Sequence, residues 1–126
     1  MDVHLTLLSA LSADATTSIL WNHGFHVHVV DDSVQMAVRR ERNKVIRLYV
    51  CTLSPLTIHF IRALNYHAYA VGILYDSTSR ISRARAKVWH DAQRARRSAP
   101  SISFISAGAR YRRVSDWVSA VCTSLL

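Results

Sequence analysis

Carboxylates at the ends of two apolar runs are the residues of this chain best suited to chemistry. Asp31 and Asp32 follow the run 25–30, and Asp76 follows the run 69–75. Runs of this composition are typical of buried strands, and open α/β sheets bind ligands at the carboxyl ends of their strands. If the two strands are neighbours, the three carboxylates form an oxygen-rich pocket of the kind that binds Mg²⁺. The alternative is that they only cap strands and form turns, as Asp often does.

The order of the strands decides between these alternatives. In the first, strand 25–30 lies beside strand 70–75, and the carboxylates approach to roughly 4–8 Å. In the second, strand 3–9 is the first of a five-stranded sheet of order 2-1-3-4-5. Strand 25–30 is then an edge strand, about 14 Å from strand 70–75.

The elements that must position these acids follow from the apolar patterning. Strand-like runs lie at 3–9, 25–30, 46–51, 70–75 and 101–105. Helical spacing appears between them: after Ser33 (Val34, Ala37 and Val38), after Pro55, over about 81–95, and over 114–125. Alternating strands and helices predict one α/β domain over residues 1–126, a three-layer sandwich with a central, mainly parallel, flavodoxin-like or receiver-like sheet. Residues 11–22 are ambiguous, with a helix ending near Gly24 as one alternative.

Several of these runs resemble a known family. The segment 27–33 resembles the opening of a two-component response-regulator receiver domain of the CheY-like family, in which an apolar strand ends in paired acids. Asp32 and Asp76 are 44 positions apart, which is the spacing of that family's second acid and its phosphorylated aspartate. The segments 47–52 and 99–107 resemble its second and fourth strands. The resemblance covers about residues 25–110, with 1–24 as an N-terminal extension.

The resemblance implies a function and a set of site residues. Asp31, Asp32 and Asp76 would hold Mg²⁺, and Asp76 would accept a phosphoryl group from a histidine kinase or another signalling protein. Ser106 would hydrogen-bond the phosphoryl oxygen, although it can equally be a plain turn residue before Gly108. The expectation is an atypical, divergent or truncated receiver, a signalling module rather than an enzyme. A degenerate form would signal by protein contact alone.

A basic segment supports an alternative function. Residues 80–97 contain a single acid, Asp91, against seven cations: Arg80, Arg83, Arg85, Lys87, Arg94, Arg96 and Arg97. A helix of this kind can neutralise the phosphates of nucleic acid, with Trp89 as the candidate for stacking on bases. The chain would then be a small basic α/β protein that binds nucleic acid. The simpler interpretation is a solvated helix face.

The composition of the chain limits the classes of protein to which it can belong. The 126 residues are half apolar and carry a formal charge of +8, which fits a folded domain with an anionic partner. Cys51 and Cys122 lie in apolar patterns and are predicted to be buried, reduced thiols. No apolar run is long enough to span a membrane, so a cytoplasmic protein without a membrane partner is expected. A third alternative is a chain with no evolved site, such as a fragment.

Overall fold

A six-stranded mixed sheet organises the chain. The computed structural model describes residues 2–30, 34–52, 68–94, 101–107 and 112–124. The strands are β1 (Asp2–Ser9), β2 (His26–Val29), β3 (Val34–Glu41), β4 (Lys44–Thr52), β5 (Ala70–Tyr75) and β6 (Ser101–Ser106). The helices within these ranges are α1 (Ala13–Asn22), α2 (Arg80–Arg94) and α3 (Arg112–Ser124).

The strand order is β2-β3-β4-β1-β5-β6. Strands β4, β1, β5 and β6 run parallel to one another, whereas β3 is antiparallel to both β2 and β4. Strand β1 is therefore interior, and its Leu5 pairs with Leu48 on one side and Ala70 on the other. The predicted α/β fold with a mainly parallel sheet is confirmed.

Helices cover both faces of the sheet because most of its strands are apolar on both sides. On one face, Leu20 of α1 and Val118 of α3 join the core around Leu5 and Leu7. On the other face, Trp89 of α2 packs with residues such as Leu8 and Ile73. None of the described helices has the length and apolarity that crossing a membrane would need.

Gly72 allows α3 to approach the sheet closely. A Cβ atom at this position would lie 2.6 Å from Ile105 Cδ1 and 3.0 Å from Trp117 Cη2. Only a residue without a side chain leaves that space to the Trp117 ring, so the glycine sets the depth at which α3 packs.

Helix α1 begins and ends with recognisable caps. The Ser12 hydroxyl accepts a hydrogen bond from Ala15 N at 3.2 Å, which satisfies a free amide of the first turn. Beyond the last helical residue, Gly24 adopts a φ of +79°, a conformation that L side chains rarely adopt. The ambiguous segment 11–22 is thus a helix, and the chain leaves it near Gly24.

The helix predicted from Val34, Ala37 and Val38 is wrong, since these residues belong to β3. The strand pairs with β2 on one side and β4 on the other, and Ala37 is fully buried between them. Its connection to β4 is tight: Glu41 pairs with Lys44. Pairing of β3 with a strand on each side favours the extended conformation. This tertiary effect outweighs the short helix-like spacing of its apolar residues.

Both cysteines are buried thiols that form no disulfide with each other, as their apolar surroundings predict. Cys122 belongs to the core beneath α1 and α3, whereas Cys51 belongs to the core beneath α2. Burial raises the pKa of the Cys122 thiol above its ordinary value, which keeps that thiol protonated and unreactive.

Candidate functional site

The strand order separates the two strands after which the acids occur in the sequence. Three strands, β3, β4 and β1, lie between β2 and β5. Four strand spacings correspond to roughly 19 Å. The prediction that strands 25–30 and 70–75 are neighbours is therefore wrong. The alternative is confirmed in placing 25–30 at an edge of the sheet, but its five-stranded order 2-1-3-4-5 is wrong, because β3 and β4 lie between β2 and β1. Asp31 and Asp32 themselves lie outside the described residues.

The reason for this arrangement lies in β1. The resemblance would place this strand in an extension, yet it occupies the position between β4 and β5. Its Leu5, Leu7 and Leu8 are fully buried, so the strand places apolar side chains on both faces. Strands with this pattern belong inside a parallel sheet. The half-exposed β2, in which His26 and His28 face solvent, is left at the edge.

Asp76 forms a turn at the end of β5. Its Oδ1 accepts hydrogen bonds from Thr78 Oγ1 at 2.7 Å and from Thr78 N at 2.9 Å. These two bonds, the side-chain one first, lower the pKa of the Asp76 carboxyl below its ordinary value. The contacts are those of a turn-forming Asp, which is the simpler of the two interpretations made from the sequence.

Ser106 lies near Asp76 in the sheet. It is the last residue of β6 and pairs in register with Tyr75, the residue before Asp76. The structure thus brings these two predicted site residues together at the carboxyl ends of the adjacent strands β5 and β6. Among the residues described, no three His, Cys, Asp or Glu side chains cluster as a metal ion would require.

The loop after β1 leads to α1 on one face of the sheet, and the loop after β5 leads to α2 on the opposite face. The two loops meet at the ends of these adjacent strands. Such points bind ligands in many open α/β sheets. Here Ser82 joins the loops: its Oγ accepts from Asp76 N at 2.8 Å and donates to Ala10 O at 3.0 Å. Ala10 N also donates to Leu74 O at 2.8 Å. The crevice between the loops is therefore bridged by the protein's own hydrogen bonds.

Helix α2 buries a narrow face. Ser82, Ala86 and Trp89 recur at i, i+4 and i+7 and are buried against the sheet, with Trp89 only 4% exposed. Trp89 is therefore a core residue, and the prediction that it stacks on bases is wrong. Ile81 and Val88 contribute to the helical spacing predicted over about 81–95, but each is 67% exposed, so these two residues do not face the core.

The cations of α2 divide between the two sides of the helix. Arg80, Arg83 and Lys87 recur at i, i+3 and i+7, are exposed, and form what we call the basic flank. Arg85 is exposed too, but it shares the other side with Ile81 and Val88. Arg94 ends the helix, and the predicted Arg96 and Arg97 lie outside the described residues.

The cations of the basic flank outnumber the carboxylate nearest to them along the helix, Asp91, which lies four residues after Lys87. The ion pairs found within the described ranges are Arg39–Glu41, Arg47–Asp2 and His90–Asp91. None of them involves Arg80, Arg83 or Lys87. The positive potential of this flank therefore faces solvent and favours an anionic partner.

A surface groove of about 420 Å³ separates α2 from β6. Its lining combines cations of the basic flank with aromatic rings: Tyr75, Arg83, Ala86, Lys87, His90, Asp91 and Phe104. Phe104 is 49% exposed and stacks on His90, with ring centroids 4.6 Å apart and planes at 20°. Tyr75 meets the same Phe104 ring edge to face at 5.9 Å.

The sequence indicated the cations of this groove but not its rings. Phe104 lies in a strand far along the chain from α2, so its place beside Arg83 and Lys87 depends on the β5–β6 pairing. The alternation of the run 101–106 puts Ile102 and Phe104 on one face, which is the available signal.

A second polar cluster joins α1, β3 and α3. Ser115 Oγ hydrogen-bonds His23 Nδ1 at 2.9 Å, and Arg39 Nη1 donates to His23 O at 3.0 Å. Burial of the imidazole, followed by the Arg39 charge, lowers the pKa of His23, while Asp116 opposes the shift. The cluster ties α1, β3 and α3 together.

Comparison of the chain with protein-family models and with curated proteins finds no match.

Proposed function

We propose that the protein binds nucleic acid through the basic flank of α2. The observation that supports this most directly is the set of three exposed cations on one side of the helix, which outnumber the nearby Asp91 and take part in none of the ion pairs found among the described residues. Phosphate contacts by Lys and Arg release condensed counterions, which supplies most of the free energy of non-specific binding. The formal charge of +8 acts in the same direction over a longer range.

The dimensions of the flank suit a polyanion. Arg80 and Lys87 are separated by about 10 Å along the helix axis, at about 1.5 Å per residue. Over that length a nucleic acid backbone presents several charges, since duplex DNA carries one per ~1.7 Å of axis. The basic flank can therefore contact more than one phosphate at once.

The receiver-like function has less support. It rests on carboxylates of neighbouring strands, and β2 and β5 are four spacings apart. The parallel strands β4-β1-β5-β6 do keep the 2-1-3-4 order with which a flavodoxin-like sheet begins, and β2 and β3 are added at one edge. Mg²⁺-assisted phosphorylation of Asp76 stays a prediction from the resemblance, and the nucleic-acid function is preferred.

The test compares two variants that lose the same charge. The flank variant carries Arg80→Ala, Arg83→Ala and Lys87→Ala. The control variant carries Arg40→Ala, Arg85→Ala and Arg113→Ala, all at exposed positions away from the flank. Affinity for a fluorescent single strand and for a duplex is measured by anisotropy from low to physiological salt.

The flank variant should lose at least about tenfold in affinity at ~0.1 M salt. Its log–log salt slope should shrink by about 2 on the single strand and about 2.7 on the duplex, because three phosphate contacts are lost. The control variant should keep both the slope and most of the affinity. Equal losses in the two variants would show that only net charge matters. Undetectable binding by the unmodified protein at tens of micromolar, a typical non-specific constant, would refute the proposal.

A further inference from the structure

We infer that the groove between α2 and β6 is a nucleobase subsite, in which an unpaired base stacks on the Phe104–His90 pair. The inference rests on the proposed function and specifies its ligand as single-stranded nucleic acid. Phe104 and His90 supply flat rings, and Arg83 and Lys87 supply charge, within one groove.

The rings are already arranged as a stacking surface. Phe104 and His90 lie nearly parallel, at 20°, with their centroids 4.6 Å apart. Tyr75 holds the Phe104 ring from the side at an interplanar angle of 82°. About half of Phe104 remains exposed, although a large apolar ring on a surface gains nothing from contact with water. A third flat ring can extend this stack and cover that surface.

The charges beside the rings match the other half of a nucleotide. Arg83 and Lys87 line the same groove as Phe104 and are exposed, and they outnumber the one carboxylate in its lining, Asp91, whose Oδ1 lies 3.6 Å from His90 Nδ1. A ligand that places a flat ring on Phe104 and an anion at the flank satisfies both features at once. Stacking on aromatic side chains combined with a cationic groove is the general means of binding single strands.

The same geometry discriminates against a duplex. Inside a double helix both faces of each base are covered by its neighbours, so only an unpaired base can reach Phe104. A duplex can still use the basic flank through its phosphates. The groove volume of about 420 Å³ lies in the range of small-ligand clefts, which is about 300–1,000 Å³.

The experiment replaces the ring and keeps the charges. Phe104→Leu retains an apolar side chain but removes the π face, and Ile102→Leu on the same strand is the matched control. The probes are a short oligothymidylate and a duplex of equal length. Thermal unfolding of each variant shows that it folds.

Phe104→Leu should weaken oligothymidylate binding roughly 5- to 150-fold, the ratio that corresponds to about 1–3 kcal/mol of stacking per base. Duplex binding and the salt slope should stay the same, because the phosphate contacts remain. Phe104→Trp should restore affinity, and its added indole fluorescence should be quenched by the oligonucleotide.

The possible failures are distinct. If Phe104→Leu binds the single strand as well as the unmodified protein does, the stacking subsite is refuted and the basic flank stands. An introduced indole that is not quenched on binding refutes the subsite in the same way. If neither single strand nor duplex binds at all, both the subsite and the proposed function are refuted.

Discussion

At His23 one ring nitrogen is hydrogen-bonded and the other is not. Nδ1 meets Ser115 Oγ at 2.9 Å, whereas Nε2 is buried without a partner among the described residues. Protonation would add charge to a half-buried ring that already lies near the Arg39 guanidinium. The folded state therefore favours the neutral imidazole, and the pKa of His23 is lowered from 6.5.

This depressed pKa predicts a loss of stability in mild acid. The unfolded chain binds the proton more readily, so the contribution of His23 is complete above about pH 6.5 and declines as the pH falls toward the lower folded pKa. Urea unfolding at about pH 7.5 and about pH 5 should show a smaller difference in His23→Gln than in the unmodified protein.

His26→Gln makes the same substitution at an exposed histidine and serves as the matched control. Identical pH dependence in His23→Gln and the unmodified protein would contradict the assignment of this effect to His23.

At the scale of elements, the sequence predicts the strands and helices whose apolar pattern is uninterrupted. Strands β1, β4, β5 and β6 were expected from their apolar runs, and α3 from its helical spacing. Strand β3 was missed because its signal is weak: Arg39, Arg40 and Glu41 interrupt its apolar pattern. The following turn offers no Asn-Gly or Asp-Gly pair, and Arg42 adopts a φ of 52° there.

The candidate site was predictable in part. Cations of one helix can be found from the sequence, and the spacing of Arg80, Arg83 and Lys87 separates them from Arg85 by helical periodicity alone. Phe104 could not be assigned to the same groove, because its neighbours depend on how β6 pairs in the sheet. Long-range pairing is the information that local patterns lack.

Helix α2 is held to the sheet by a buried hydroxyl as well as by Trp89. Ser82 Oγ bonds Asp76 N and Ala10 O at once. Ser82→Ala would leave the partly buried Asp76 N and the buried Ala10 O without this partner, which should lower the free energy of unfolding by about 1–3 kcal/mol.

Chemical denaturation measures this loss directly. Ser77→Ala, at an exposed position of the same loop, should change stability by less than about 0.5 kcal/mol. Equal effects of the two substitutions would mean that the Ser82 bridge does not stabilise the packing of α2.

At the scale of the whole molecule, positive charge is in excess. The chain has 16 Lys and Arg against 8 Asp and Glu. Few of these charges are paired within the described ranges, where Arg39–Glu41 and Arg47–Asp2 join full charges. Self-repulsion of this kind destabilises a compact state, and salt screens it over about 10 Å at 0.1 M.

Moderate salt should therefore stabilise the fold. The urea midpoint is expected to rise between about 0.02 and about 0.2 M NaCl, because screening reduces the repulsion among the excess cations. The rise in the urea midpoint should be smaller in both the flank variant and the control variant, because each lacks three of the cations that repel one another. A midpoint that falls as salt is added would show that attraction between unlike charges dominates instead.

The interior position of β1 has a consequence for how the chain folds. Residues 2–9 are synthesised before every other strand, yet they pair with 45–52 and 70–74. The apolar β1 therefore stays unpaired and exposed until the ribosome has synthesised β4 and β5. Non-local pairing of this kind slows folding and exposes intermediates to aggregation. Expression at lower temperature or with holdase chaperones should raise the yield of soluble protein by protecting this one segment.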